Sequence, residues 1–525
     1  MRLLGALLPL LALSASALDT GLPSSQHIFA YNSLPQSAFT PTHVSSTIEL
    51  GGSLTRSTAT YQLIKDPQSS VKGNQLIVGV KGGAKSGGWV EATEGKGMGK
   101  KWIPMVAVGG GDGTTYYSLS LSPTSDNKAT VTVSTVHSHQ AVPNPPSLPQ
   151  NAESIYMQWE GDLLAPLAGF SAQKKSKLEE FKVRVKAPTP RILQAVMVEG
   201  EGFAVAHSQG SATVTFTSKS SVAELGEQIA RVHYQQPHAV ASIRKLDRIV
   251  ELSHWGSNFA VQDNIDLVNS GPTLEGNFAR IDYQKASMHR RQNLLAVSSL
   301  TIPLHPAARY PYFYDIVGNV STSRFRSSSS SQGGAVLPSQ KKKKNQAPSV
   351  LELQPRYPLM GGWNYSFTIG YDVPLEDFVK VRKEGKGHYV AAVPFLTPLK
   401  DVAVDEAHVQ IRLPEGARNL NIRTPFPMDH LAYPTFVPAL WGKSSVPRGG
   451  NEEGTVVKTY LDSTGRPTVV LDKIGCTDMH GGEVFIEYDL PILVDYLQKP
   501  LAVATVLSSL FLAIIFAKRL SWGIA

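Results

Sequence analysis

The sequence predicts a mainly β protein: two tandem antiparallel β-sandwich-like modules with a few short helices, followed by one C-terminal transmembrane helix. Three observations lead there. Apolar residues recur at a period of two in many short stretches. A weak internal echo repeats in the same order in both halves. One uncharged run near the C-terminus is long enough to cross a bilayer. At 525 residues the chain also exceeds what one core ordinarily holds.

Residues 1–17 open with Met1 and Arg2, continue through an apolar run Leu3–Leu13, and end in Ala15-Ser16-Ala17. That order of charge, apolar stretch and small residues predicts a secretory signal peptide cleaved after Ala17, which is set apart from the fold.

Beyond it, Phe181, Val183 and Val185 alternate with polar residues, as do Ala212, Val214 and Phe216. The same holds for Trp363, Tyr365, Phe367, Ile369 and Tyr371, and for Val409, Ile411 and Leu413. This is the pattern of antiparallel sheets with one wet face. Helical patterns are few. "SSVAELGEQIARV" has Ser221 and Glu224 at capping-box spacing, and "PLEDFVKVRK" lines up Leu375, Phe378 and Val379 on one stripe.

The echo joins "VRVKAP" (Val183–Pro188) to "VQIRLP" (Val409–Pro414), and later "VHYQQP" (Val232–Pro237) to "IEYDLP" (Ile486–Pro491). It suggests a duplication, with a first lumenal β module at 18–240 and a second at 245–492. Two stretches read as excursions. Residues 81–114 are glycine-rich and predict long surface loops. Residues 322–350, with Lys341–Lys344 and no acid, predict a disordered basic insert.

Near the end, Leu501–Ala517 carries no charge and as a helix would span roughly 26 Å at about 1.5 Å per residue. Lys518 and Arg519 follow it, which predicts a transmembrane helix at 498–518, a short cytosolic tail at 519–525, and a single-pass type I protein with the bulk of the chain lumenal. Thr505, Ser509, Ala513 and Ala517 recur every four residues, a seam where another helix could approach closely.

The net charge of +8 does not indicate a nucleic-acid partner. Nine of the positive charges are Arg2, those of the basic insert and Lys518-Arg519, which leaves the lumenal body at about −1. The single cysteine, Cys476, rules out an internal disulfide and reads as a small buried hydrophobe.

The stretch "RIVELSHWGSNFAVQDNIDLVNSG" (residues 248–271) holds Ser253, His254, Asp263 and Asp266, raw material for a hydrolase. The fixed parts of the common reactions are absent, however. There is no D-x-D, no G-x-S-x-G elbow, no H-E-x-x-H helix and no complete phosphate loop. His137 and His139 would share a strand face and lack a third metal ligand. Asp478, His480 and Glu483 lie in "DMHGGE", whose paired glycines predict a hairpin turn. No catalytic, cofactor or metal site is therefore assigned. Two N-glycosylation acceptors are, Asn319 in "NVS" and Asn364 in "NYS", the latter on the wet face of its strand.

"ELSHWGSNFAVQDNIDLVNSG", "GNFARIDYQ", "YDIVGNVSTS", "RYPLMGGW", "IGYDVP", "RLPEGARNL" and "LDSTGRPTVV" occur in that order. Together they resemble the ribophorin I family, a non-catalytic subunit of the eukaryotic oligosaccharyltransferase complex. The similarity is clear over roughly 245–520 and looser through the first module. It implies residence in the endoplasmic reticulum membrane and support of oligosaccharide transfer from dolichyl pyrophosphate to Asn of N-x-S/T. It further implies a complex with a multi-span catalytic subunit and small membrane subunits, and contact with nascent polypeptide. Asn319 matches the family's acceptor within G-N-V-S-T-S. On this reading residues 248–271 are a structural or subunit-contact element anchored by Trp255. The readings set against it are a membrane-anchored metal-dependent hydrolase using His137/His139 or Asp478/His480, and a stand-alone adhesion or receptor ectodomain.

Overall fold

The computed structural model describes residues 39–519, except 66–73, 82–87, 96–99, 112–113, 123–126, 164–179, 199–202, 209, 219–228, 289–292, 329–346, 383–386, 435–455, 460–461 and 463–464. Two β units are built mainly from eighteen strands, numbered here in chain order. In the first they are β1 (Phe39–Leu50), β2 (Leu54–Lys65), β3 (Lys128–Ser138), β4 (Ala141–Pro143), β5 (Ile155–Asp162), β6 (Glu180–Lys186), β7 (Ile192–Met197), β8 (Thr213–Ser218) and β9 (Ile229–Gln236). In the second they are β10 (Ala241–Ser253), β11 (Asn258–Asn269), β12 (Asn364–Pro374), β13 (Val379–Val381), β14 (His388–Pro394), β15 (Ala403–Arg412), β16 (Arg418–Arg423), β17 (Arg466–Cys476) and β18 (Glu483–Asp489). The described helices are α1 (Arg280–Met288), α2 (Leu375–Phe378) and α3 (Ile492–Arg519). Other strands are given by residue range.

The two units share one topology. The large sheet of the first runs β8-β6-β1-β2-β3 through its centre, and that of the second runs β17-β15-β10-β11-β12. The smaller facing sheets run β7-β9-β5-β4 and β16-β18-β14-β13. Each strand of the first unit thus has its counterpart nine strands later. Each large sheet is antiparallel save for one parallel pair at the same place, β1 with β6 and β10 with β15. The sequence echo falls on equivalent strands: "VRVKAP" on β6 and "VQIRLP" on β15, "VHYQQP" on β9 and "IEYDLP" on β18.

Period-two alternation fills each core. Val183, Val185, Val214 and Phe216 are fully buried in the first unit with Tyr61, Trp159 and Tyr234. Val409, Ile411 and Ile369 are fully buried in the second with Ile486 and Tyr488. Each such side chain contributes about 1.5–3 kcal/mol by leaving water. The core of the first unit also takes Leu295, Ala296 and Met360, which lie beyond β10 in sequence.

Some local expectations differ from the fold. The stripe in "PLEDFVKVRK" gives one helical turn, because Val379, Lys380 and Val381 instead pair with Ala391, Val390 and Tyr389. In "SSVAELGEQIARV" residues 219–228 lie outside the described set, and Ile229 onward is strand β9. The glycine-rich stretch 81–114 is not only loop. Gly88–Glu94 pairs along β3 and buries Ala92, and Met105–Gly111 pairs with Thr114–Ser120. Within the basic insert, Ser323–Arg326 pairs with the strand Ser349–Leu353, and residues 329–346 lie outside the described set. The "DMHGGE" turn holds a 3-10 turn at Asp478–His480 and carries the chain from one sheet to the other rather than closing a hairpin.

Candidate functional site

The stretch 248–271 forms the hairpin β10–β11 at the centre of the larger sheet of the second unit. Alternation sends Leu246, Val250 and Leu252 of β10, and Phe259, Val261 and Ile265 of β11, into the core. Arg248 and Asp263 fall on the same phase. They are cross-strand partners, 1 % and 0 % exposed, with Arg248 Nη1 donating to both Asp263 carboxylate oxygens at 3.0 and 2.8 Å. Burial pushes the Asp263 carboxyl up from its usual range and the Arg248 charge is the largest influence opposing that shift, so each charge offsets part of the cost of taking the other out of water.

The other polar residues of the stretch are also held structurally. Ser253 Oγ accepts from the Gly256 amide and closes the turn. His254 Nε2 lies 2.7 Å from the Tyr488 hydroxyl, and its ring packs edge-on to Tyr389 at 4.5 Å. Asp266 receives Arg244 at 2.8 and 2.5 Å and Ser366 Oγ at 3.0 Å. Ser253, His254 and Asp263 therefore do not converge on a reacting atom. At the tip, Trp255 is 59 % exposed. It borders a cleft of about 580 Å³ with Leu375, Val379, Val381 and Tyr389.

Asn269, near the end of the same stretch, is 1 % exposed and works as a hub. Its side-chain amide donates to the carbonyls of Leu295 and Leu359 at 2.8 and 2.9 Å, and its oxygen accepts from the Gly271 amide. Beside it, Gly361 of "RYPLMGGW" sits so close to Pro272 that a Cβ would lie 1.8 Å from the Pro272 carbonyl oxygen. Only glycine permits that approach.

The two histidine clusters lie at the seam between the units. His139 follows the end of β3 with a φ of 55°, so it does not share a strand face with His137. Its Nε2 meets Asp405 Oδ1 at 2.6 Å, and this hydrogen bond raises its pKa. The His137 ring lies over Gly88, and burial lowers its pKa. His480 is buried between Trp89 and Phe426 at ring-centroid distances of 5.1 and 4.9 Å, accepts from the Thr477 amide, and is pushed by burial down to about 3. Arg56 bridges Asp401 at 2.8 Å and Asp478 at 2.5 Å. Ser53 Oγ donates to the Asp401 carbonyl and accepts from the Ala403 amide, both at 3.1 Å. Among the described residues no three His, Cys, Asp or Glu side chains gather in a way that could hold a metal. These residues fasten one unit to the other. Cys476 is buried, and desolvation raises its thiol to about 12.

Both sequon asparagines are exposed. Asn319 lies in the two-residue strand Gly318–Asn319 after an uncovered Ile316-Val317 tip, and Asn364 opens β12. The segment Pro500–Arg519 of α3 is long and apolar enough to cross a membrane, and among the described residues none of its side chains is buried. Thr505 and Ser509 donate their hydroxyls to the carbonyls of Ala502 and Val506, so both are satisfied within the helix. Ala513 and Ala517 continue that exposed line. Ala17 lies outside the described residues.

The residues that the sequence left unmarked are Arg248, Asn269, Arg56 and Trp89. A polar residue in core phase was the available signal for Arg248. Arg56 and Trp89 acquire meaning only once the units meet.

Comparison with known proteins gives the family. The subunit 1 of dolichyl-diphosphooligosaccharide–protein glycosyltransferase from Caenorhabditis elegans is 32 % identical over 298 residues, 56 % of this chain and 43 % of that one. The subunit 1A from Arabidopsis thaliana is 28 % identical over 439 residues, 82 % of this chain and 62 % of its own length. The subunit 1B from Oryza sativa subsp. japonica is 31 % identical over 288 residues, 54 % and 50 % respectively. The chain thus spans about half the length of these relatives. The family described as Ribophorin I matches residues 39–518, which include both β units and nearly all of α3, and the chain belongs to that family.

Proposed function

We propose that this protein is a non-catalytic structural subunit of the oligosaccharyltransferase complex, supporting transfer of a dolichyl-pyrophosphate-linked oligosaccharide to Asn of N-x-S/T in nascent polypeptides. The family match over residues 39–518 carries the reading, and the relatives are named as subunits of that glycosyltransferase. The chemistry of the described residues supports a non-catalytic part. Of the residues that resembled a site in the sequence, Ser253 closes a turn, Asp263 is held in a buried ion pair and Asp478 is held in the seam between units.

In this reading residues 1–17 direct the chain into the endoplasmic reticulum and are removed after Ala17. The β units at 18–240 and 245–492 fold as lumenal domains, and α3 anchors them against the multi-span catalytic subunit and small membrane subunits. The line Thr505, Ser509, Ala513 and Ala517 is the face offered to a neighbouring helix. Asn319 and Asn364 carry glycans on exposed backbone. A docking surface for nascent polypeptide fits the same role.

The test is depletion of this protein followed by an oligosaccharide transfer assay on a panel of acceptor polypeptides. The proposal expects reduced site occupancy and a complex that loses other subunits. Normal occupancy with an intact complex would reject it.

A further inference from the structure

The duplicated topology makes the two units comparable end for end, and their environments differ at the end where the chain leaves each unit. In the first unit that end holds the turn between β1 and β2, Gly51–Ser53, braced by the Tyr234 hydroxyl donating to the Gly51 carbonyl at 2.8 Å. The chain leaves the unit there, after β9, and runs directly into β10. The end is covered: Ser53 and Arg56 dock on Asp401, Ala403 and Asp478 of the second unit.

In the second unit the equivalent turn is that between β10 and β11, and the equivalent tyrosine, Tyr488, again braces it, through His254 at 2.7 Å. The chain leaves here too, after β18, with the Leu490 amide tied to the Gly387 carbonyl at 2.8 Å. It runs into α3 from Ile492. The α2 turn lies against one side of this end, the Leu375 amide donating to the Ser257 carbonyl at 3.0 Å, and exposed side chains lie beyond it. Trp255 and Val381 are 59 % and 61 % exposed beside the apolar cleft.

We infer that the membrane surface covers the exit end of the second unit, as the second unit covers the exit end of the first, with Trp255 of the turn between β10 and β11 seated at the headgroup level of the adjacent leaflet. Spacing supports this occupant. The apolar span starts at Pro500, eight residues into α3, so about 12 Å of helix separates the sheet end from the hydrocarbon. The headgroup layer takes up roughly 5–8 Å of that distance. Tryptophan prefers this layer because its ring is apolar and its N–H needs a wet partner. Glu376 lines the same cleft, Lys380 donates to the Glu376 carbonyl and Arg382 pairs with Glu487, so the charges beside the cleft are engaged within the unit. An apolar and aromatic contact, rather than attraction to anionic lipid, is therefore the mode of binding.

The inference rests on α3 spanning the bilayer, and the experiment separates the two. The full chain is prepared as Trp255→Cys, Trp102→Cys and Ser509→Cys variants, labelled with a thiol-reactive nitrobenzoxadiazole dye and placed in dioleoylphosphatidylcholine vesicles. Cys476, at 0 % exposure, is left in place and does not compete for dye. Quenchers are phosphatidylcholines bearing a nitroxide on the headgroup or at carbon 12 of the acyl chain. The probe at 255 should lose most of its emission to the headgroup nitroxide. The probe at 509 should lose it to the chain nitroxide, and the probe at 102, 61 % exposed in the first unit, to neither. Quenching at 509 with none at 255 overturns the inference and leaves the anchor intact. A probe at 255 that is shielded from water in the assembled complex, yet unquenched by lipid, overturns it in favour of a protein partner.

Discussion

Replacing Asp263 with Ala removes the carboxylate paired with Arg248 across β10 and β11 and leaves a guanidinium that is 1 % exposed without that counter-charge. Breaking a buried pair from one side costs about 3–5 kcal/mol, because the remaining charge keeps its desolvation penalty and loses the attraction that offset it. That is a large share of the 5–15 kcal/mol by which domains are ordinarily stable. The loss should fall on the second unit, whose central strands carry the pair, and spare the first. Hydrogen exchange of the full chain in detergent, under increasing urea, separates them. Amides of β10, β11 and β12 should lose protection at lower urea, while those of β1, β2 and β6 should not move. The double variant Arg248→Met/Asp263→Leu should recover most of the loss, since apolar residues of similar volume need no compensation. An Asp263→Ala protein with unchanged protection would refute the argument. So would one that folds and assembles normally but has lost transfer activity, which would restore a chemical role to this stretch.

Further outcomes follow from the seam, the hub and the sequons. Acidification should loosen the seam. His480 is held near 3 in the fold, first by burial and then by the positive charge of Lys473, against about 6.5 when unfolded. As pH falls from 6.5 toward 3 the unfolded side chain therefore gains a proton that the folded one refuses, and stability drops by up to a few kcal/mol at about 1.4 kcal/mol per pKa unit. The His139–Asp405 contact has the opposite sign, because its raised pKa stabilises below the folded value and is lost as pH rises through it. At 42 % exposure for both side chains it is the weaker effect. Exchange at β17 and Gly88–Glu94 between pH 7 and pH 4 reads the net result, and a seam tighter at pH 4 would contradict it. Gly361→Ala should destabilise by about 1–3 kcal/mol or more, because the added Cβ meets the Pro272 carbonyl, and protection of the Leu295 and Leu359 amides measures it. Asn319→Gln and Asn364→Gln should each remove one glycan, visible as a gel shift that endoglycosidase treatment of the parent reproduces. A variant migrating with the untreated parent shows that its site is unused.

How much of this could be read from the sequence depended on whether the signal was local. Alternation located β6, β12 and β15 because burial of one sheet face is written at a period of two. The echo located the duplication because equivalent strands kept V-x-[VI]-[KR]-[AL]-P and [VI]-x-Y-x-x-P. Glycine misled at 88–94, where pairing with β3 outweighs the entropy that a flexible stretch gives up. The stripe at Leu375, Phe378 and Val379 misled because β-branched Val379 and Val381 had a strand partner in β14, which periodicity does not show. The meaning of His254, Asp263 and Asp266 could not be settled from spacing, since Arg248 and Arg244 are brought to the two aspartates by strand register and Tyr488 comes to His254 from the facing sheet. The seam was least legible of all. Arg56, Trp89 and His480 are far apart in sequence, and only the packing of one unit on the other brings them together.

The central claim is membership of the oligosaccharyltransferase as a subunit without its own chemistry, and affinity purification of the full chain in mild detergent tests it most directly. The account predicts stoichiometric recovery of a multi-span glycosyltransferase subunit whose transfer activity comes with the complex and is absent from this chain alone. Recovery of the chain as a folded protein free of that subunit, from membranes that contain it, would contradict the account.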